Sequence, residues 1–190
     1  MRSIPPPMAN PFFTIGHSTR PVAAFIDLLR SADIGLLVDV RTVPRSRANP
    51  QYNADALEER LAAAQIAYRR IPELGGLRGR QRDVPPATNA FWENASFHNY
   101  ADYAMCPEFQ SALEALRRRG REQRCAIMCA EAVWWRCHRR IIADYLIAAG
   151  EQVFHILGPG HVEVARMTEA ATTGPDGSLI YPGDPSLFDR

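Results

Sequence analysis

The chain has 190 residues, is 46% hydrophobic and 23% charged, and carries a formal charge of +1. That size and composition fit one globular domain, and so small a net charge excludes a global attraction to nucleic acid or an anionic membrane. All 22 basic residues are arginine, which excludes a Schiff-base lysine and a phosphate-loop lysine as chemical groups.

In chain order, residues 1–11 hold four prolines and read as a flexible arm. Phe12-Phe13-Thr14-Ile15 is a first strand, stopping at Gly16-His17-Ser18. Pro21 opens a helix whose buried stripe is Val22, Phe25, Ile26 and Leu29. Ile34 to Val40 is a second buried strand, followed by a polar loop over Pro44–Pro50. Asn53 is placed to cap a helix with Leu57, Leu61 and Ala64 inward. A third strand spans Ile66 to Ile71. Residues 72–98 are too long for an ordinary connection, and read as a lid or excursion in which Phe91 and Trp92 exclude water from a ligand. Pro107 starts a helix expected to close at Arg117-Arg118-Arg119 and Gly120, with cations on the negative dipole end and a glycine stop.

Arg124 to Cys129 is a short apolar run of the kind a strand buried on both faces requires. From about Val133 the period becomes helical, with Cys137, Ile141 and Tyr145 on one face. The junction gathers Cys129, Glu131, Cys137, His138 and several arginines. No Ser, Thr, Asp or Asn stands among residues 130–137 to cap this helix. Arg136, Arg139 and Arg140 lie where the macrodipole disfavours cations, and together these features point to a bound anion. Val153 to Leu157 is a last strand, and residues 158–190 form a tail expected to dock through Leu179, Ile180, Tyr181, Leu187 and Phe188. The alternation predicts one α/β domain over residues 12–157: three layers with a mostly parallel, Rossmann-like sheet. Ligands of such sheets bind beyond the strand carboxyl ends, where His17-Ser18, Asp39-Arg41 and Cys129-Glu131 would converge.

The Cys129-Ala130-Glu131…Cys137-His138-Arg139 run, with Gly16-His17-Ser18 and Asp39-Val40-Arg41…Pro44-Arg45-Ser46 upstream, resembles the family called domain of unknown function four-eight-eight. Glu73-Leu74-Gly75-Gly76 and Val153-Phe154-His155-Ile156 fit the same pattern, so the resemblance spans about Phe12 to Leu157. It implies a fold and a cluster of site residues but no reaction. The family often has Asp-Pro between the Glu and the Cys-His-Arg; here Val133-Trp134-Trp135 stands instead.

These residues bear on three chemistries. Cys125, Cys129, Cys137 and His138 look like zinc ligands, but residues four apart on a strand are about 13 Å apart, too far for both thiols to reach one ion at about 2.3 Å. Cys129, Cys137 and His138 remain as three candidate ligands, yet the spacing matches none of the usual patterns. No metal and no cofactor is assigned, and Cys125 reads as core. The phosphatase or sulfurtransferase analogy is weak, because the loop from Cys129 to Arg136 has no glycine and holds two tryptophans. Acid–base chemistry by Glu131, with Cys129 or Cys137 as nucleophile and His138 as base, is the third.

We therefore expect an enzyme, of hydrolase or transferase type, acting on a small anionic substrate of phosphate- or nucleotide-like chemistry. Its catalytic residues are Glu131, Cys129, Cys137 and His138, and its anion-binding residues His17, Ser18, Arg41, Arg45, Ser46 and Arg139. The alternatives are a nucleic-acid-binding or nucleic-acid-processing module and a non-catalytic anion sensor. Residues 41–82 hold nine arginines against four acids, but no nucleic-acid fold motif is present. The N-terminus lacks a signal-peptide core and no stretch is long enough to span a bilayer. The expected setting is cytoplasmic, without a membrane partner, and with the cysteines reduced. The oligomeric state is not legible.

Overall fold

The computed structural model describes residues 10–183. Most of the expected N-terminal arm, together with Leu187 and Phe188 of the tail, lies outside the described residues. Strand β1 (Phe12–Gly16) pairs in parallel with β4 (Cys125–Cys129) and β5 (Val153–Gly158). Strand β2 (Leu36–Asp39) pairs in parallel with β4 and with β3 (Ala67–Arg70). A short β6 (His161–Val164) adds antiparallel to β5, giving one six-stranded sheet in the order β3-β2-β4-β1-β5-β6. The Phe12, Ile34 and Arg124 runs thus supply its central strands. A separate ribbon of β7 (Thr172–Thr173) and β8 (Leu179–Ile180) lies in the tail.

Every residue of β1, β2 and β4 is buried, because helices cover both faces. Alternation sends Phe13, Ile15, Ala126 and Met128 toward α1 (Val22–Ser31) and α2 (Ala54–Ala63), where Phe25, Leu29, Leu57 and Leu61 pack. Phe12, Cys125 and Ile127 face the other core, built on α3 (Ala95–Ala104), α4 (Pro107–Glu122) and α5 (Arg139–Ala148). The result is a single three-layer α/β domain. Cys125 is a core residue, fully buried, with its thiol pushed up to about 12 by burial. The tail docks as expected through Leu179 and Tyr181, both buried. Among the described residues no helix is long and apolar enough to cross a membrane.

Several local readings change. Helix α4 does not stop at Gly120 but runs on to Glu122. A Cβ on Gly120 would strike the Phe12 ring, so this glycine permits close helix–strand packing. Asn53 does not cap α2; its Oδ1 accepts from the Ser46 N–H at 2.8 Å and ties the polar loop down. The last helix begins at Arg139, after a 3-10 turn over Trp134–Arg136 and an extended Cys137 (φ −133°, ψ 144°). Trp92 is buried against Phe97 and Tyr181, packed into the core with the tail. Residues 72–78 are pinned by Arg78, which donates to the Pro72, Glu73 and Gly75 carbonyls, and by the Tyr100 and Tyr103 hydroxyls.

Candidate functional site

The parallel register aligns Gly16 with Cys129 and Asp39 with Met128, so three strands end at one edge. Beyond it the ladder continues from the His17 N–H to the Cys129 carbonyl (3.0 Å) and from the Ser18 N–H to the Ala130 carbonyl (2.9 Å). Gly16 is required here, since a Cβ would collide with the Glu131 carbonyl as that turn crosses the end of β1. Two contiguous cavities lie along this edge, sharing Arg41, Val43, Ala130 and Glu131.

The first cavity, of about 330 Å³, is lined by Cys129, Glu131, Arg136, Cys137 and His138 from the β4 turn, by Arg41, Thr42 and Val43, and by Gly76, Leu77, Ser96 and Phe97. The second is lined by His17, Ser18, Arg45, Ser46 and Asn49. The segment after β3 therefore forms one wall of the first cavity, through Gly76 and Leu77.

Between the lobes sits a buried network. Arg41, 6% exposed, donates from Nε to Asp39 Oδ1 (2.9 Å) and from Nη2 to Asp39 Oδ2 (2.6 Å) and the Tyr52 carbonyl (2.8 Å). Tyr68 donates to Asp39 Oδ2 at 2.6 Å. His17 bonds the Ser18 carbonyl through Nδ1 (2.7 Å), stacks on Tyr52 at 4.0 Å, and faces Arg41 Nη1 with Nε2 at 3.3 Å. Burial lowers its pKa to about 4, so at neutral pH it is a neutral imidazole with Nδ1 donating and Nε2 accepting.

The second cluster differs in kind. Cys129, Cys137 and His138 bring Sγ, Sγ and one ring nitrogen within 4.8 Å of one another. His138 Nδ1 lies 3.9 Å from Cys129 Sγ and 3.6 Å from Cys137 Sγ. Its Nε2 is buried and has no hydrogen-bond partner among the described residues. The cysteines share charge unequally. Cys129 is pushed up by its hydrogen bond to Cys137 and by burial. Cys137 is held well below its ordinary value: burial opposes this, but the Cys129 thiol, His138 and Arg139 outweigh it.

Nine of the ten residues expected in the site line one cavity or the other: His17, Ser18, Arg41, Arg45, Ser46, Cys129, Glu131, Cys137 and His138. Arg139 does not. It is 1% exposed, and donates from Nε to Cys137 Sγ (3.2 Å) and from Nη2 to the Glu131 carbonyl (2.6 Å). It holds the turn from behind. Arg140 likewise turns away, donating to Thr168 Oγ1 and lying over Trp92. Two residues not among those ten also matter: Arg136, named from the sequence only as a cation at the helix start, is exposed on the cavity wall, and Gly76 leaves room for the His138 ring by its absent side chain. The Gly75-Gly76 pair was the available signal for the second. Of the bulky Val133-Trp134-Trp135 run, Trp134 packs inward and stacks on His155 at 4.4 Å, while Trp135 is exposed.

The molecule is thus an α/β domain with a two-lobed cleft at the carboxyl ends of its parallel strands. The chain belongs to the family described as Domain of unknown function DUF488, which matches residues 21–146. Neither the curated proteins nor the solved structures yield a match to it.

Proposed function

We propose that this protein is an enzyme, a hydrolase or transferase, acting on a small anionic substrate of phosphate- or nucleotide-like chemistry in the two-lobed cleft. The observation that carries the reading is the division of labour between contiguous cavities. One offers Arg45, Ser46, Ser18 and His17; the other joins Glu131 and Arg136 to the Cys129–Cys137–His138 cluster. A cavity of about 330 Å³ has the size of small-ligand pockets and favours a metabolite over a nucleic-acid strand. Arg45 and Arg136 supply exposed guanidiniums that can pair bidentately with a phosphate or carboxylate. Arg41, already neutralised by Asp39, contributes its remaining N–H groups and rigidity. Glu131, an exposed carboxylate between the lobes, is the acid–base group, and the sulfur–imidazole cluster faces the reacting centre.

Turnover of a panel of phosphomonoesters, nucleotides and acyl phosphates tests this. The expected result is a substrate whose turnover falls at least about a hundredfold in Glu131→Gln and whose KM rises in Arg45→Ala with kcat retained. Absence of any turnover, together with salt-dependent binding of single-stranded oligonucleotides, would replace the enzyme with a nucleic-acid module. Binding of a panel member without turnover would make it an anion sensor.

A further inference from the structure

We propose that Cys129 Sγ, Cys137 Sγ and His138 Nδ1 form a binding site for one zinc-class divalent ion, with the fourth coordination position open to the cleft. The proposal goes beyond the activity above and does not depend on it, since ion binding is measured without substrate.

Geometry comes first. Tetrahedral zinc with Zn–S of about 2.3 Å and Zn–N of about 2.0–2.1 Å needs S···N edges of about 3.6 Å and an S···S edge of about 3.8 Å. The observed S···N edges are 3.6 and 3.9 Å, and all three donor atoms lie within 4.8 Å of one another. The two S···N edges match to within a few tenths of an ångström, and binding would draw the sulfurs to the S···S edge from a separation of at most 4.8 Å. The donors arrive from three different local structures: the last residue of β4, the extended residue after the 3-10 turn, and the residue preceding α5. Cys125, four residues up the strand, remains in the core and takes no part.

His138 supplies an independent reason. A buried imidazole in a folded protein ordinarily bonds an oxygen or water through each nitrogen. Here Nδ1 meets only two sulfurs, which are weak hydrogen-bonding atoms, and an ion would give that nitrogen a strong partner. The ring is nonetheless held toward the sulfurs, because Gly76 leaves the space it occupies: a Cβ there would run into Nδ1. An ion gives that orientation a purpose.

The donor set selects the metal. Two thiolates and an imidazole suit zinc, and not magnesium or calcium, which take oxygen ligands. Two thiolates cancel the double charge, so the site carries no net charge among its arginines, and binding releases the thiol protons to solvent. Arg139 Nε donates to Cys137 Sγ at 3.2 Å, a hydrogen bond that orients and tunes a ligand sulfur. Three protein donors with the fourth position facing Arg41, Glu131 and Arg136 describe an open site of the catalytic kind, not a closed structural one.

The test uses the full chain without a histidine tag, reduced, stripped by chelator, and reloaded separately with Zn²⁺ and Co²⁺. Elemental analysis after desalting should give about one zinc per chain, and the cobalt form should show the visible and sulfur-to-metal charge-transfer bands of a tetrahedral thiolate site. Cys129→Ser and Cys137→Ser should each lower affinity at least about tenfold. Gly76→Ala, which displaces the imidazole and removes no ligand, should weaken binding too, while Cys106→Ser and Cys125→Ser keep full stoichiometry. The cobalt spectrum of the unmodified protein stands even if a variant misfolds. Wild type that retains neither ion, zinc held equally by Cys137→Ser, or a Cys129–Cys137 disulfide recovered from reduced, zinc-treated protein would each overturn the proposal.

Discussion

Two buried polar groups sit side by side at the carboxyl edge of the sheet, and they treat hydrogen bonding in opposite ways. Around Arg41 all but one guanidinium N–H is bonded: Asp39 takes the guanidinium and the Tyr68 hydroxyl, the Tyr52 carbonyl accepts a further bond, and His17 uses both ring nitrogens. Around His138 the donors and acceptors are left over, with one ring nitrogen orphaned and the other facing sulfur. The first arrangement is scaffold, because a closed network in a low-dielectric interior holds one geometry. In the second, the ion proposed above would supply the strong partner that His138 Nδ1 lacks, and that difference sets the scaffold apart from the proposed reactive part of the cleft.

The largest effect should come from opening the closed network. Asp39→Ala leaves the Arg41 charge buried and unpaired, and should cost about 3–5 kcal/mol in chemical denaturation. A loss below 1 kcal/mol would mean that Arg41 finds water in the cleft, and would weaken the contrast.

Acid should erode the same scaffold. His17 is lowered to about 4 by burial, and His155, which bonds Thr14 Oγ1 and stacks on Trp134, is lowered to about 4 by burial and by Arg139. Their ordinary value is 6.5, so between pH 6.5 and 4 the unfolded chain binds protons that the folded chain refuses. Stability is therefore full above pH 6.5 and falls as pH drops toward 4, by on the order of 3 kcal/mol per histidine. His155→Gln should flatten part of that limb; an unchanged slope would contradict the assignment.

Removing the unsatisfied imidazole should cost far less. With chelator present, His138→Ala leaves no hydrogen-bond partner stranded and should destabilise by about 1 kcal/mol. A loss as large as that of Asp39→Ala would make His138 part of the scaffold. The smallest effect is expected at Arg136, which is exposed and has no ion pair among the described residues. Arg136→Ala should shift stability by less than about 0.5 kcal/mol while weakening anion binding.

Much of the scaffold was legible because it rests on local patterns. Unbroken apolar runs mark β1, β2 and β4, and polar residues at their ends mark the edge where the cleft lies. What escaped depends on contacts between segments distant in sequence. Gly120 has the sequence context of a helix stop, but its missing side chain makes room for Phe12 more than a hundred residues upstream. Asn53 has the identity of a cap and spends its carbonyl oxygen on Ser46. Arg139 sits at a helix start where an anion site was expected, yet it reaches back to Cys137 and Glu131. Its burial follows from the extended Cys137, which delays α5 and turns the guanidinium inward. The proximity of Cys129 to Cys137 likewise requires the 3-10 turn, which spacing alone does not specify.

The central claim is that the cleft binds a small anion, and isothermal titration of inorganic phosphate and of adenosine monophosphate tests it most directly, at fixed metal content. The wild-type protein should bind one of them saturably, and the Arg45→Ala/Arg136→Ala double variant, with its fold and melting temperature preserved, should bind at least about tenfold more weakly because two charge-assisted hydrogen-bonding groups are gone. Equal affinity in the two proteins, or no binding heat from either anion in the wild type, would contradict the account.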